Sequence, residues 1–287
     1  MKKLIIENGT RHELIKGDCI EIMKSFPEGH VDLVITDPPY NIGLDYGIHS
    51  NDRKKKEEYY EWCKSWLTEC ARILSPNGSF YLISYPEINA RLLPFLEDKL
   101  NIKFRRWLTW HYPTNIGHSK KNFTRSQRSI LFFTKGSDYT FNRTNIIQHY
   151  KNPEVKKIKE KLQNGSAGRN SYDLLRFLDL VELNKGNIDI FDINLVKNIS
   201  KDRVGSMKNG RYHHPCQLPL DLLRVLVKVS SNENDTLFDP FAGTFTMSKV
   251  AAELGRNSIG IEINPNYIKL GLKRLSENYA KEKKDTT

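Results

Sequence analysis

Two periodicities share the 287-residue chain. Residues 31–35, Val-Asp-Leu-Val-Ile, make a short β-branched run of the kind buried inside a sheet, and runs at 79–84, 104–110, 130–134, 235–238 and 258–261 predict further strands. Apolar residues return at helical spacing over 20–26, 57–74 and 246–254. The second of these helices is predicted to stop at Ser75-Pro76-Asn77-Gly78, a turn sequence. Strands and helices that alternate in this way imply an α/β protein with a mostly parallel, helix-covered sheet. The alternation breaks over 139–212. A lysine-rich helix is predicted at 153–164, a flexible turn at 164–170 and an amphipathic helix at 171–183. Residues 41–56 are polar, carry Gly43 and Gly47, and read as a loop.

Charge adds a partner to this picture. The net charge of +11 and pI near 9.3 suggest a polyanion, because each phosphate contact releases a counterion. From Lys99 to Ser137 there are nine basic residues and no acidic one, with Trp107, Trp110, His111, Tyr112 and Phe123 interleaved. Cations for phosphates and rings for bases are the two components of a nucleic-acid groove, so Lys120, Lys121, Arg125 and Arg128 are the candidate nucleic-acid contacts. A pair of strands with solvated lysines is the competing reading. Cys19, Cys63, Cys70 and Cys216 form no Cys-x-x-Cys pair, and Cys63 and Cys70 fall on one face of a helix. No metal site is expected, since His213 and His214 lack a spaced partner pair. The start is charged too soon for a signal peptide and no apolar run approaches membrane length, so a soluble cytoplasmic protein is expected.

Two motifs carry chemistry. Asp37-Pro38-Pro39-Tyr40 follows the apolar strand at 31–35, and would arise by chance with a probability on the order of one in a thousand. It therefore sits at a strand's carboxyl end, where open α/β sheets bind ligands. An exocyclic amine on a nucleobase is a poor nucleophile, because its lone pair is delocalised into the ring. A carboxylate (Asp37) and a rigid main-chain carbonyl (Pro38) can accept its two hydrogens and stabilise charge developing on nitrogen. Pro38 and Pro39 fix φ and remove competing donors, while Tyr40 offers a ring on which an extruded base can stack. The second motif, Phe238-Asp239-Pro240-Phe241-Ala242-Gly243-Thr244, opens a strand-turn-helix unit. The next strand ends in Glu262, 23 positions after Asp239. An acid about 20 residues past a Gly-bearing βα turn is the arrangement that binds ribose hydroxyls. The turn lacks the full dinucleotide fingerprint and suits a nucleoside without a pyrophosphate.

The two motifs in this order resemble the DNA amino-methyltransferases that use S-adenosylmethionine, in the circularly permuted β class, most of all the adenine-N6 members of restriction-modification systems. The resemblance covers most of the chain. Leu14-Ile15-Lys16-Gly17-Asp18-Cys19 resembles the element that touches the cofactor's adenine, and His214-Pro215-Cys216-Gln217-Leu218-Pro219 resembles the element before the cofactor strand. The family often has a second glycine where this chain has Phe245, and a lysine where it has Leu218.

The resemblance implies a Rossmann-like fold, a base flipped from the duplex, and no metal. It assigns catalysis to Asp37, Pro38, Pro39 and Tyr40. It assigns the cofactor to Asp18, Cys19, Asp37, His214, Gln217, Asp239, Phe241, Gly243, Thr244, Thr246 and Glu262. The layout becomes a catalytic half over 1–138, a target-recognition insert over 139–212 and a cofactor half over 213–287. Double-stranded DNA is the implied partner; a separate restriction endonuclease and a homodimer are left open. N4-cytosine transfer remains an alternative, although family members acting on cytosine usually have serine in place of Asp37. A non-catalytic nucleic-acid-binding module is the more distant one.

Overall fold

The structure, a computed structural model, describes residues 2–7, 9–44, 46, 53–112, 121–148, 150, 152–171, 173–175 and 217–285. In chain order the elements are β1 (Lys2–Glu7), β2 (Thr10–Lys16), α1 (Cys19–Met23), β3 (Val31–Thr36), α2 (Lys56–Ile73), β4 (Leu74–Ser84), α3 (Pro86–Lys99), β5 (Lys103–His111) and β6 (Gln127–Thr134). A 3-10 turn (Arg143–Ile146) follows, then β7 (Ile147–Gln148), α4 (Lys156–Gln163), β8 (Arg169–Asn170) and β9 (Leu174–Leu175). The chain ends with α5 (Leu220–Ser230), β10 (Thr236–Asp239), α6 (Thr246–Glu253), β11 (Asn257–Glu262) and α7 (Pro265–Asp285).

Nine of the strands form one sheet in the order β1-β2-β11-β10-β3-β4-β6-β5-β9. From β2 to β4 every neighbouring pair is parallel. Both flanks turn antiparallel, β1 on β2 and the β4-β6-β5 set. β1 has no counterpart among the predicted strands, and the runs at 104–110 and 130–134 pair with each other rather than continuing the parallel series. β6 lies between β4 and β5 and pairs antiparallel with both.

Two other expectations are corrected. The predicted turn at 75–78 lies inside β4, which begins at Leu74 opposite Val31. The register slips between Val31 and Leu33, and such a bulge tolerates the N–H that Pro76 lacks. Gly78 fits there because a Cβ would stand 3.0 Å from the Asp32 carbonyl. The predicted helix at 171–183 instead opens in β9, with Leu174 and Leu175 beside Thr109 and Trp110 and the Thr109 N–H donating to the Asp173 carbonyl at 2.7 Å. These bonds pair backbone groups at the edge of β5 that a helix beginning at 171 would leave unmet. Residues 176–183 lie outside the described residues.

Alternation along each strand divides the core. Val34, Leu82, Leu131 and Phe133 pack on one face against α2, which buries Cys63, Trp66, Leu67 and Cys70. Leu33, Ile35, Tyr81 and Ile130 pack on the other against α5 and α6, through Leu222, Leu226, Met247 and Val250. Trp110 and Tyr112, expected in a nucleic-acid groove, are core residues at 0% and 2% exposure. No described helix is long and apolar enough to cross a membrane.

Phe245 takes the place where glycine would fit. Its φ is 59°, left-handed backbone that a bulky residue rarely adopts. The ring is 1% exposed and lies on the bare backbones of Gly260 and Gly271. A Cβ on Gly271 would stand 2.3 Å from the Phe245 Cδ2. Gly271 is in α7, where an alanine would ordinarily add about 1 kcal/mol of helix stability. We expect the opposite sign: Gly271→Ala should destabilise by roughly 1–3 kcal/mol, the range for overpacking. Urea denaturation of the two proteins checks this, and a stabilised variant would show that the ring moves aside freely.

Candidate active site

Four parallel strands end at one edge of the sheet, and each delivers an acid. β2 is followed by Asp18, β11 ends at Glu262, β10 at Asp239, and β3 is followed by Asp37. These four residues line a single cavity of about 300 Å³. Hydrogen bonds join the neighbouring strand ends. The Gly17 N–H donates to the Glu262 carbonyl at 3.1 Å, and the Thr36 hydroxyl donates to Asp239 Oδ1 at 3.0 Å.

Three of these carboxyls also stabilise the backbone around them. Asp18 caps α1, its Oδ1 accepting from the N–H groups of Ile20 and Glu21 at 2.9 and 3.2 Å. Asp239 Oδ1 accepts from the Phe241 N–H at 3.0 Å, which fixes the turn. Glu262 accepts from the Gly243 and Asn264 N–H groups at 2.9 and 2.8 Å. Burial pushes the Asp239 carboxyl up to about 7, against the pull of the Phe241 and Thr36 donors, and the charges of Asp37 and Glu262 push it the same way. Burial also raises Glu262 to about 7, and its backbone donors oppose the rise. The buried Arg274 guanidinium reaches the hydroxyls of Thr246 and Thr244 at 2.8 and 3.3 Å. Phe241 is boxed by Trp62 and Trp66, with ring centroids 5.4 and 5.1 Å away.

The Asp-Pro-Pro-Tyr turn is pinned as well. Tyr40 donates its hydroxyl hydrogen to Asp37 Oδ1, and its ring meets Tyr85 at 4.6 Å between centroids. The Tyr59 hydroxyl donates to the Pro39 carbonyl at 2.8 Å. Asp37 Oδ2 is 3.3 Å from Arg128 Nη1. Burial raises the Asp37 carboxyl, and the Arg128 charge and the Tyr40 hydroxyl act against it. The arrangement presents an acceptor-rich wall toward a cavity with aromatic sides.

Asp18, Cys19, Asp37, Pro38, Pro39, Tyr40, Gln217, Asp239, Phe241, Gly243, Thr244, Thr246 and Glu262 all line this cavity. His214 and Lys120 lie outside the described residues. Burial, with the nearby Asp18 charge, pushes the Cys19 thiol up, so it stays a neutral apolar group. The DNA contacts need correction. Arg128 is 6% exposed and paired with Asp37, so it cannot reach a phosphate backbone. Arg125 grips Glu87 through two nitrogens at 2.6 and 3.1 Å and lies over the Tyr85 ring. Lys121 is exposed, and Phe123 is 97% exposed beside it.

The comparisons with known proteins agree with this geometry. The family described as DNA methylase, of N6 and N4 type, matches residues 31–273, most of the chain. The chain belongs to the N6/N4 DNA methylases. It is 32% identical over 269 residues to the Type II methyltransferase M.HpaI of Haemophilus parainfluenzae, covering 93% of this chain and 74% of that one. It is 31% identical over 285 residues to the DNA adenine methyltransferase YhdJ of Escherichia coli strain K12, covering 96% and 88%. Among solved structures, the PvuII DNA methyltransferase, cytosine-N4-specific, aligns at a TM-score of 0.62 and 19% identity over 92% of this chain and 86% of that one. At that identity the likeness concerns the Rossmann-like fold alone.

Tyr46, Lys54, Tyr59 and Trp62 also line the cavity of this DNA methylase, and sequence reasoning missed them; Arg128 was singled out, but for DNA rather than for Asp37. Tyr59 and Trp62 look like ordinary helix-face residues, and the one signal for an inward Arg128 was its place at the start of an apolar strand.

The two raised carboxyls predict a pH response. Asp239 and Glu262 sit near 7 in the folded protein, against ordinary values of 3.8 and 4.5. Between about pH 4 and 7 the folded chain holds protons that the unfolded chain has released. They therefore contribute stability that is present below about pH 4 and lost as the pH rises through 7, at most roughly 4 kcal/mol for Asp239 and roughly 3 kcal/mol for Glu262. Urea melts from pH 5 to 8 should show this decline becoming shallower in Asp239→Asn. Equal slopes would mean that Asp239 does not titrate in that window.

Proposed function

We propose that this DNA methyltransferase moves the methyl group of S-adenosylmethionine to the N6 amine of an adenine flipped out of duplex DNA. The observation that carries this reading is the sharing of one cavity by Asp37 and Glu262, which joins an acceptor for an amine to an acceptor for a ribose. The residues fit the cofactor. Glu262 is held by two backbone donors, which leaves lone pairs of its carboxylate for ribose hydroxyls. The aromatic side formed by Phe241 and Trp62 suits an adenine ring, and Asp18 stands at the same wall. Gln217, and by the resemblance His214, would hold the amino-acid end.

When bound, the cofactor supplies a methyl group on a positively charged sulfur, which accepts the C–S electron pair as the methyl leaves. The chain's own residues prepare the nucleophile. Asp37 and the Pro38 carbonyl accept the amine hydrogens, which favours a tetrahedral nitrogen and stabilises the positive charge that grows there. The surplus proton then leaves nitrogen for solvent. Tyr40 stacks the base, and holding amine and methyl in line supplies much of the acceleration. An acid at position 37, together with the adenine relative at 31% identity, supports adenine over cytosine. Residues 139–212 are the proposed target-recognition insert, with the exposed Lys121 on the duplex side. The Type II relative supports a place in a restriction-modification system, in the cytoplasm.

Asp37→Ala should abolish methyl transfer in single-turnover assays with labelled cofactor while leaving duplex affinity largely intact, because phosphate contacts lie elsewhere. Near wild-type rates would remove Asp37 from the mechanism. Nucleoside analysis of the methylated DNA should find N6-methyladenine; N4-methylcytosine would overturn the choice of base. Glu262→Ala should weaken S-adenosylmethionine binding by about 1.5–3 kcal/mol in calorimetry, as expected for hydrogen bonds to a charged group.

A further inference from the structure

Neither motif includes the cation that holds the catalytic carboxylate. Arg128 comes from β6, two places from β3 in the sheet, and crosses to Asp37 so that Nη1 and Oδ2 are 3.3 Å apart. The two side chains are 8% and 10% exposed. Three rings wall the guanidinium, those of Tyr40, Trp110 and Tyr85, at 5.0, 5.6 and 5.9 Å. Tyr40 occupies the other carboxylate oxygen. Both oxygens of Asp37 are thus aimed before any substrate arrives.

We propose that Arg128 is a positioning residue for methyl transfer, which keeps Asp37 a charged acceptor in a place where water cannot. This rests on the reading that Asp37 receives the target amine. The chemistry requires a charged carboxylate. A protonated Asp37 would offer an O–H to the amine's lone pair and so occupy the electrons needed for attack. Burial drives Asp37 toward that protonated form, and the Arg128 charge is the first force against it. The other groups do not replace it. Asp239, facing Asp37 from β10, is itself an acid whose charge works in the wrong direction. The Tyr85 ring faces Arg128, burial keeps the Tyr112 phenol protonated, and Arg125, over the Tyr85 ring, is engaged by Glu87. Lys54 lines the shared cavity from the 41–56 loop, and Glu262 lines it from β11. An arginine suits the position because it cannot lose its proton when buried.

The test is the pH dependence of the single-turnover rate on duplex DNA with saturating S-adenosylmethionine, for wild type, Arg128→Gln and Arg128→Lys. Removing an opposite charge at this distance should raise the acid limb by about 1–3 units, so that Arg128→Gln is slower by roughly 10- to 1000-fold below the limb and recovers at alkaline pH. Arg128→Lys should keep most of the wild-type profile. A loss uniform across pH with cofactor binding intact would make Arg128 merely structural and overturn the proposal, as would an unmoved limb. Should Arg128→Gln fail to fold, infrared difference spectra of wild type against Asp37→Asn decide. A carboxylate band from Asp37 at pH 7 is expected, and a protonated carbonyl band would overturn the proposal. Wild type that methylates no duplex would instead sink the proposed function, and the infrared result would then judge the ion pair alone.

Discussion

One long-range pairing organises the active edge. β10 lies parallel to β3, with Leu237 opposite Leu33 and Phe238 opposite Val34. Parallel neighbours must end on the same side of a sheet. The turn after β3 and the turn after β10 therefore meet, although Thr36 and Asp239, which bond across the seam, are 203 positions apart in the chain. β11 and β2 extend the same edge in parallel register and bring Glu262 and Asp18 to it. Had β10 paired antiparallel to β3, Asp239 would lie at the opposite end of the sheet from Asp37.

Bringing four acids to one edge is unfavourable unless donors meet them. Here most donors are backbone N–H groups at the start of turns and helices, those of Ile20, Glu21, Phe241, Gly243 and Asn264. Such donors cost no side-chain entropy and carry no full charge, so they order the acids and leave acceptor capacity for a ligand. Asp37 differs. It receives a full cation and a phenol instead.

The turn between β10 and α6 shows how the fold absorbs a departure from the family's usual sequence. Phe245 keeps the left-handed backbone that glycine would allow at little cost. Its ring gains a site made by the missing side chains of Gly260 on β11 and Gly271 on α7, so packing offsets local strain. The shape of the turn, and with it the Gly243 N–H aimed at Glu262, is preserved by a contact formed between three elements rather than by the turn residue itself.

Much of this protein was legible in the chain. The apolar runs at 31–35, 235–238 and 258–261 located the central strands, and Asp37, Asp239 and Glu262 stood at their ends. Each of these features follows from local patterns, which a strand and its following turn express within a dozen residues. Antiparallel pairing of β5 with β6, the bulge that carries Pro76 into β4, and the short β9 could not be read in that way, because each answers a neighbour's unpaired backbone groups. The same holds for Arg128. Sequence composition placed it in a basic stretch facing DNA, since charge counts carry no direction. Alternation on β6 and the position of β6 two strands from β3 turned it inward, onto Asp37. The sequence by itself determined which acids stand at which strand ends. Only tertiary structure decided which of them face one another, because side-chain direction and long-range strand order are set by burial across the whole sheet.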